Sequence, residues 1–271
     1  MKKVFGLLTA VGLMTAPLAQ ASTVTVSGST SVAHVMEVLA ENYQNNTNTN
    51  TSVEVQSTGS SAGIRAAKDG TSMIGMSSRN VKDNELNSDT KEVVIARDGI
   101  AAAVNNANPV KNLTQEQISK IYRGEIKNWS QVGGESRPIV VVTRENGSGT
   151  RGAFEEIMKL QRTINGHKVT AISPTAQVGN GNGMIKTIVA NNPYAIGYIS
   201  LGSVDSSLRA IDVDGVAATD DNIVTGDYQI ARPFIVLIDK NAPDNANNFI
   251  EYILSEDGQN IVAEEGYIRV Q

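Results

Sequence analysis

Residues 144 to 151 read RENGSGTR and combine fixed charge, hydroxyls and glycine in eight positions. Arg144 carries a planar guanidinium fork that matches the paired oxygens of a carboxylate or phosphate. Ser148, Gly149 and Thr150 add two hydroxyls and a backbone that other groups can approach closely. Three chemistries fit these types: a nucleophilic serine, a cradle for nucleotide phosphates, or a seat for a small free anion.

The enzymatic readings find little support elsewhere in the chain. Ser148 sits in Gly147-Ser148-Gly149 and not in a G-x-S-x-G elbow. A Ser-His-Asp arrangement needs His34 or His167, one on a predicted helix and one in a polar turn, and neither has a marked Asp partner. No G-x-x-x-x-G-K-[ST] occurs, which removes the P-loop. GNGNGM (179–184) has glycine at every second position and reads as a turn before a helix. Two histidines without cysteine do not make a zinc site. The expectation is therefore no catalytic residue, no metal and no cofactor.

The elements that carry RENGSGTR have two counterparts. VTVSGSTSVAHVMEV, VEVQSTGSSAGIRAA and VVVTRENGSGTRGAFEEI each read as a strand, a Gly/Ser/Thr turn and a helix. In each, the free N–H groups of the first helical turn and the positive end of the helix dipole favour an anion. One such turn is more often an ordinary helix cap. Three in one chain, the third with Arg144 at the C-terminal end of its strand, point to an anion seat. Arg151 lies one turn into its helix and suits a pair with Glu155 at i+4. Arg79, closing the strand of GMSSR, offers a second charge from a different segment.

Strand and helix signals alternate through the rest. EVVIARDGIAAAVN reads as one or two strands, and PIVVVTR, YAIGYIS and PFIVLI as further strands. LTQEQISKIYRGEI is helical, with Thr114 and Gln117 spaced for a capping box. NANNFIEYIL and GQNIVAEEG read as C-terminal helices. Alternation of this kind predicts an α/β fold with mostly parallel sheets.

The first 21 residues have a basic start at Lys2 and Lys3, an apolar run from Val4 to Ala16, and Ala19-Gln20-Ala21 as a small-x-small cleavage pattern. They predict an export signal cut near Ala21. The apolar run is shorter than the roughly 20 residues a membrane span needs. The absence of cysteine rules out disulfides, thiol catalysis and a lipid-anchored product, so a free protein in a periplasm is expected. Without Lys2 and Lys3 the formal net charge of −5 becomes −7, which disfavours nucleic acid or anionic lipid as partner. Aromatic residues are only 4%, too few for a stacking platform, so an anion must be held by a local, directed site.

SGSTSV, STGSSAGI, IGMSSR, LTQEQISKIYRGEIKNW, RENGSGTRGAF and ANNPYAIGYIS occur in an order that resembles the phosphate-binding proteins of bacterial ABC phosphate importers, in their shorter form. The resemblance implies a type II periplasmic-binding-protein fold, with two α/β domains joined by two hinge crossings that close over the anion. It places the crossings near Ala101 to Asn105 and Ser200 to Asp205. The domains are then 22–101 with 205–271, and 102–204. It implies inorganic phosphate as ligand and permease subunits in the inner membrane as partner, with a monomeric binder. Matched residue by residue, Thr30, Ser31, Ser60, Ser78, Arg144, Ser148, Gly149 and Thr150 would contact the anion, with Arg79 as an added charge. Many family members carry an aspartate where this chain has Ser78, so sulfate or molybdate is the alternative ligand, and a secreted phosphate-ester hydrolase the alternative class.

Overall fold

The computed structural model describes residues 22–47 and 50–270, and the expected export signal lies outside them. The chain opens with β1 (Ser22–Gly28), which turns at Ser29 into α1 (Thr30–Asn46). β2 (Thr51–Ser57) leads likewise into α2 (Ser60–Lys68), and β3 (Ile74–Ser77) follows. β2 and β3 flank β1 in parallel, the arrangement that helical crossovers produce. Val32, Val35, Met36 and Leu39, spaced at helical period along α1, are buried against this sheet.

β4 (Thr90–Val104) is a single strand of 15 residues. After it come β5 (Asn112–Leu113), α3 (Gln115–Arg123), β6 (Val140–Arg144) and α4 (Gly149–Ile157). Thr114 and Gln117 form the predicted capping box on α3. Next are β7 (Gln161–Ile164), β8 (His167–Thr170), β9 (Gln177–Gly179), α5 (Gly181–Ala190) and β10 (Ala195–Ser200). The β7–β8 hairpin, read from sequence only as a polar turn, is set by Asn165 and Gly166 at φ 49° and 77°. The chain finishes with β11 (Arg209–Ala210), β12 (Asp212–Val213), α6 (Asp220–Thr225), β13 (Ala231–Asp239), α7 (Asp244–Leu254) and α8 (Glu256–Glu264).

The principal sheet runs β2-β1-β3-β13-β4-β10-β6-β9, with β11 beside β4. It is mixed where the alternation predicted mostly parallel pairing. β13 is antiparallel to β3 and β4, and β10 is antiparallel to β4, because β4 and β13 carry the chain across and back between two cores. One core gathers Val24, Met36, Leu39, Phe234 and Phe249, and the other Tyr122, Trp129, Phe154 and Tyr198.

The strand registers put the first change of core close to the expected crossing and the second well after it. β4 pairs with β13 up to Gly99 and with β10 from Ile100, so the first crossing lies inside a continuous strand and just before Ala101. Residues 205–230, expected with the first core, pack on the second side of the molecule. β11 pairs with β4 at Ala103 and Val104, and β12 pairs with β5. Ile211, Val213, Ile223, Tyr228 and Ile230 bury their side chains in the second core. The chain therefore returns at Ala231, where β13 begins its ladder with β4.

Candidate anion site

Four helix starts converge where the two cores face each other. Ser29 caps α1, its hydroxyl accepting from the N–H of Ser31 and Val32 at 3.2 and 3.3 Å. Ser148 caps α4, accepting from Arg151 N–H at 3.2 Å and keeping its own O–H as a donor. α2 starts after Gly59 at φ 88°, with no side-chain cap, and its Ser61 N–H donates to Gly147 O at 3.1 Å from the opposite side. α5 starts at Gly181, and Asn182 in its first turn is buried. Three of the four are the strand–turn–helix segments read from sequence, and a helix start is a place where N–H donors and the dipole favour an anion.

Arg144, at the end of β6, is 1% exposed and forms the hub. Its Nη2 donates to Thr30 Oγ1 at 2.9 Å and its Nη1 to Asn182 Oδ1 at 2.9 Å. Nε and Nη2 hold Glu145 in a fork, both at 2.8 Å. Burial pushes the Glu145 carboxyl up, but the bonds from Arg144 and from Gly181 N–H prevail and hold it below the usual carboxylate range. Arg144 thus makes the ion pair with Glu145 that sequence offered as one of its two readings, and makes it while buried at the junction of the helix starts.

An aromatic stack orients β6 and α4. Phe154 lies on Tyr198 with centroids 4.0 Å apart, and Tyr122 meets Phe154 edge-on at 5.0 Å. The Tyr198 hydroxyl pairs with Thr143 Oγ1 at 2.7 Å and accepts from Arg144 N–H at 3.2 Å. Burial pushes its phenol up to about 12.

Of the residues named from sequence, Thr30, Ser31, Ser60, Ser78, Arg144, Gly149 and Thr150 come together. Ser31 Oγ and Thr150 Oγ1 are 3.0 Å apart. Ser60 Oγ accepts from Ser78 N–H at 3.1 Å, and Ser78 Oγ accepts from Ser29 Oγ at 2.8 Å. A Cβ on Gly149 would sit 2.1 Å from Ser60 Oγ and 2.6 Å from Ser78 Oγ, so the close approach of the halves requires glycine there. Ser148 stands beside them as the α4 cap.

Arg79 does not join the site. Its guanidinium grips Glu85 at 2.7 and 2.8 Å and donates to Asn80 O and Ser61 Oγ. Glu85, six residues on, satisfies the side chain. Arg151 pairs with Glu155 at 2.7 Å, as its i+4 spacing predicted, and also donates to Arg144 O.

Four contributors escaped the sequence reading. Ser29 caps α1 and braces Ser78, and Asn182 links Arg144 to Ser31, donating to Ser31 Oγ at 3.2 Å. Asn182 lies in the GNGNGM stretch read as a plain turn. Arg232 on β13 donates to Ser31 Oγ at 3.2 Å and to Asp98 Oδ2 at 2.8 Å. Burial raises the Asp98 carboxyl, and the Arg232 charge opposes that rise. The available signal was one acidic and one basic residue each interrupting an apolar strand.

His34 is half-exposed and meets Glu265 at 3.3 Å, while His167 stands exposed on β8. Neither is bonded to Ser148 or Thr150. Among the described residues, no helix is long and apolar enough to cross a membrane.

A PBP superfamily domain matches residues 15–257. A phosphate ABC transporter substrate-binding protein from Clostridium perfringens, solved with bound phosphate, is 46% identical, covers 92% of this chain and 100% of its own, and superposes with a TM-score of 0.86. An ABC-type phosphate transport receptor from Vibrio cholerae is also 46% identical, over 90% of this chain and 99% of its own, with a TM-score of 0.76. The phosphate-binding protein PstS of Borreliella burgdorferi is 30% identical over 253 residues, 92% of this chain and 90% of the relative. With helix starts and a buried arginine converging between two α/β cores, the chain belongs to the PBP superfamily and, within it, to the PstS phosphate-binding proteins.

Proposed function

We propose that this protein captures inorganic phosphate between two α/β domains and delivers it to the permease subunits of an ABC-type importer in the inner membrane. The observation that carries the reading is Arg144, 1% exposed, joined through Thr30 and Asn182 to helix starts from both sides of the cleft. A desolvated anion is costly to bury, and a guanidinium with several directed hydroxyl and N–H donors offsets that cost.

The domains are residues 22–99 with 231–270, and residues 100–230, joined where β4 and β13 cross. Hydroxyls that pair across the cleft, such as Ser31 with Thr150, separate on opening and turn to the anion on closure. The protein acts as an exported periplasmic monomer and a binder without turnover. No base is bonded to the Ser148 or Thr150 hydroxyl among the described residues, which supports binding over ester hydrolysis.

Calorimetric titration with phosphate and then sulfate at neutral pH tests the reading. Tight phosphate binding without a sulfate response is the expected result. Binding of sulfate alone would transfer the function to another oxyanion and assign the change to Ser78. No heat with either ligand would sink the transport reading.

A further inference from the structure

The chain holds four Asn-Gly steps: Asn146-Gly147, Asn165-Gly166, Asn180-Gly181 and Asn182-Gly183. An asparagine before glycine is thermolabile, because its side-chain amide lies within reach of a backbone nitrogen that no side chain shields. What holds the two groups decides whether a step reacts, and the structure sorts the four. Asn182 is buried and bonded at both ends of its amide, Oδ1 accepting from Arg144 at 2.9 Å and Nδ2 donating to Ser31 and Ser203 at 3.2 and 3.1 Å. The Gly181 N–H that follows Asn180 donates to Glu145 Oε2 at 3.2 Å. Asn165 and Gly166 are exposed in the β7–β8 turn, which takes no part in the convergence of helix starts. Asn146 and Gly147 are exposed inside the RENGSGTR loop itself. Among the described residues, neither the Asn146 amide nor the Gly147 N–H has a hydrogen-bond partner.

These two residues are the centre of a turn that Ser148 N–H closes by donating to Glu145 O at 3.3 Å, with Gly147 at φ 89°. We propose that this turn is a site of self-modification, in which the Gly147 nitrogen attacks Asn146 Cγ and converts the residue to aspartate or isoaspartate, weakening the anion seat. The nitrogen gives up its proton as the new N–C bond forms, and the Cγ–Nδ2 bond breaks to release ammonia. Water then opens the cyclic imide at either carbonyl. Opening at the side-chain carbonyl leaves a normal aspartate. Opening at the main-chain carbonyl leaves isoaspartate, whose backbone is longer by a methylene. No electrons are exchanged, and water is the co-reactant.

The position gives the change a consequence. Gly147 O accepts from Ser61 N–H at 3.1 Å across the cleft, and Ser148, the next residue, caps α4. A longer backbone at position 146 displaces both. The charges nearby are already paired, Arg144 with Glu145, Arg151 with Glu155 and Arg79 with Glu85. Lys82 and Lys168, which line the same cavity as Asn146, answer part of the added negative charge, so the altered backbone is the larger effect. This consequence rests on the phosphate reading above, whereas the modification itself does not.

The test is ageing of the purified, folded protein in mildly alkaline buffer at body temperature, beside Asn146→Gln and a synthetic RENGSGTR peptide. Peptide mapping by mass spectrometry reads each conversion as a fragment about one dalton heavier, and calorimetry with inorganic phosphate follows the same samples. The fragment with Asn146 should convert at a rate close to that of the free peptide, while Asn180 and Asn182 stay unchanged. Phosphate affinity of the converted wild type should fall about three- to tenfold. Aged Asn146→Gln keeps a neutral amide and should hold its starting affinity, which subtracts any contribution from Asn165. An Asn146 fragment that stays unchanged while the free peptide converts would overturn the proposal. So would conversion at Asn182 as fast as at Asn146, full affinity after conversion, or an equal loss in aged Asn146→Gln. Fresh protein that binds no phosphate would instead strike the proposed function, and the mass readout would still decide the modification.

Discussion

Ser31 and Thr150, 119 positions apart in the chain, bring their hydroxyl oxygens within 3.0 Å and so join the first turn of α1 to the first turn of α4. Each hydroxyl belongs to a different core, and an anion held between them would receive a donor from both. Thr150→Val keeps the shape and removes one donor to a charged ligand, a bond of about 1.5–3 kcal/mol. Phosphate affinity should fall by roughly ten- to a hundredfold, read by titration calorimetry.

The two arginines of RENGSGTR should separate cleanly. Arg144→Ala removes the buried cation and should lower phosphate affinity by about a hundredfold or more. Arg151 is occupied by Glu155 and by Arg144 O, so Arg151→Ala should cost less than about threefold. Equal losses in the two variants would mean that the anion sits elsewhere.

Gly149→Ala tests the close approach of the halves. Its methyl would lie 2.1 Å from Ser60 Oγ, a clash that opening of the cleft relieves without disturbing either core. Binding should be largely lost while Tm stays within about 2 °C of the parent, no more than the shift of about 1 kcal/mol. A large drop in Tm would show that the contact is needed for folding and not only for closure.

Tyr198→Phe leaves Arg144 N–H without its acceptor and Thr143 without its partner inside the second core. An unmet buried donor costs about 1–3 kcal/mol. Thermal denaturation should show Tm lowered by about 3–6 °C.

The Arg79–Glu85 pair should appear in stability against pH. Bonding from Arg79 holds the Glu85 carboxyl below its ordinary value even though burial opposes this. Such a group contributes stability above its unfolded value and loses it as pH falls through the lower folded value. The Glu85 side chain is 24% exposed, so Glu85→Gln should lower Tm at pH 7 by only about 1–3 °C. That difference should shrink toward zero as melts are run into the acid range. A difference that stays constant on acidification would show that the pair is not what holds the carboxyl down.

The parts of the site that local chemistry builds were legible in the sequence. A β-branched run, a Gly/Ser/Thr turn and a helical period announce a strand end facing a helix start, and the structure brings three such helix starts together; which hydroxyls within them would touch an anion, Thr30, Ser31 and Ser60 among them, came from the family resemblance. Arg144 was legible because it stands at the same junction. Arg79 stands at an equivalent junction, but its direction is decided by Glu85, a tertiary contact that spacing does not encode. Asp98 and Arg232 were invisible for a related reason. Each looks like a lone charge in an apolar strand until the antiparallel register sets them face to face. The return of the chain at Ala231 depends on where Ile211, Val213 and Tyr228 find apolar neighbours, and hydrophobicity alone does not say which core they join.

β4 is one unbroken ladder member whose first part belongs to β13 and whose last part belongs to β10. Neither core can melt without fraying the strand that the other uses as a wall. The two halves are therefore thermodynamically coupled, and calorimetric unfolding should show one transition with matching van't Hoff and calorimetric enthalpies. Cooperativity of the whole would then come from the 15 residues of a single strand.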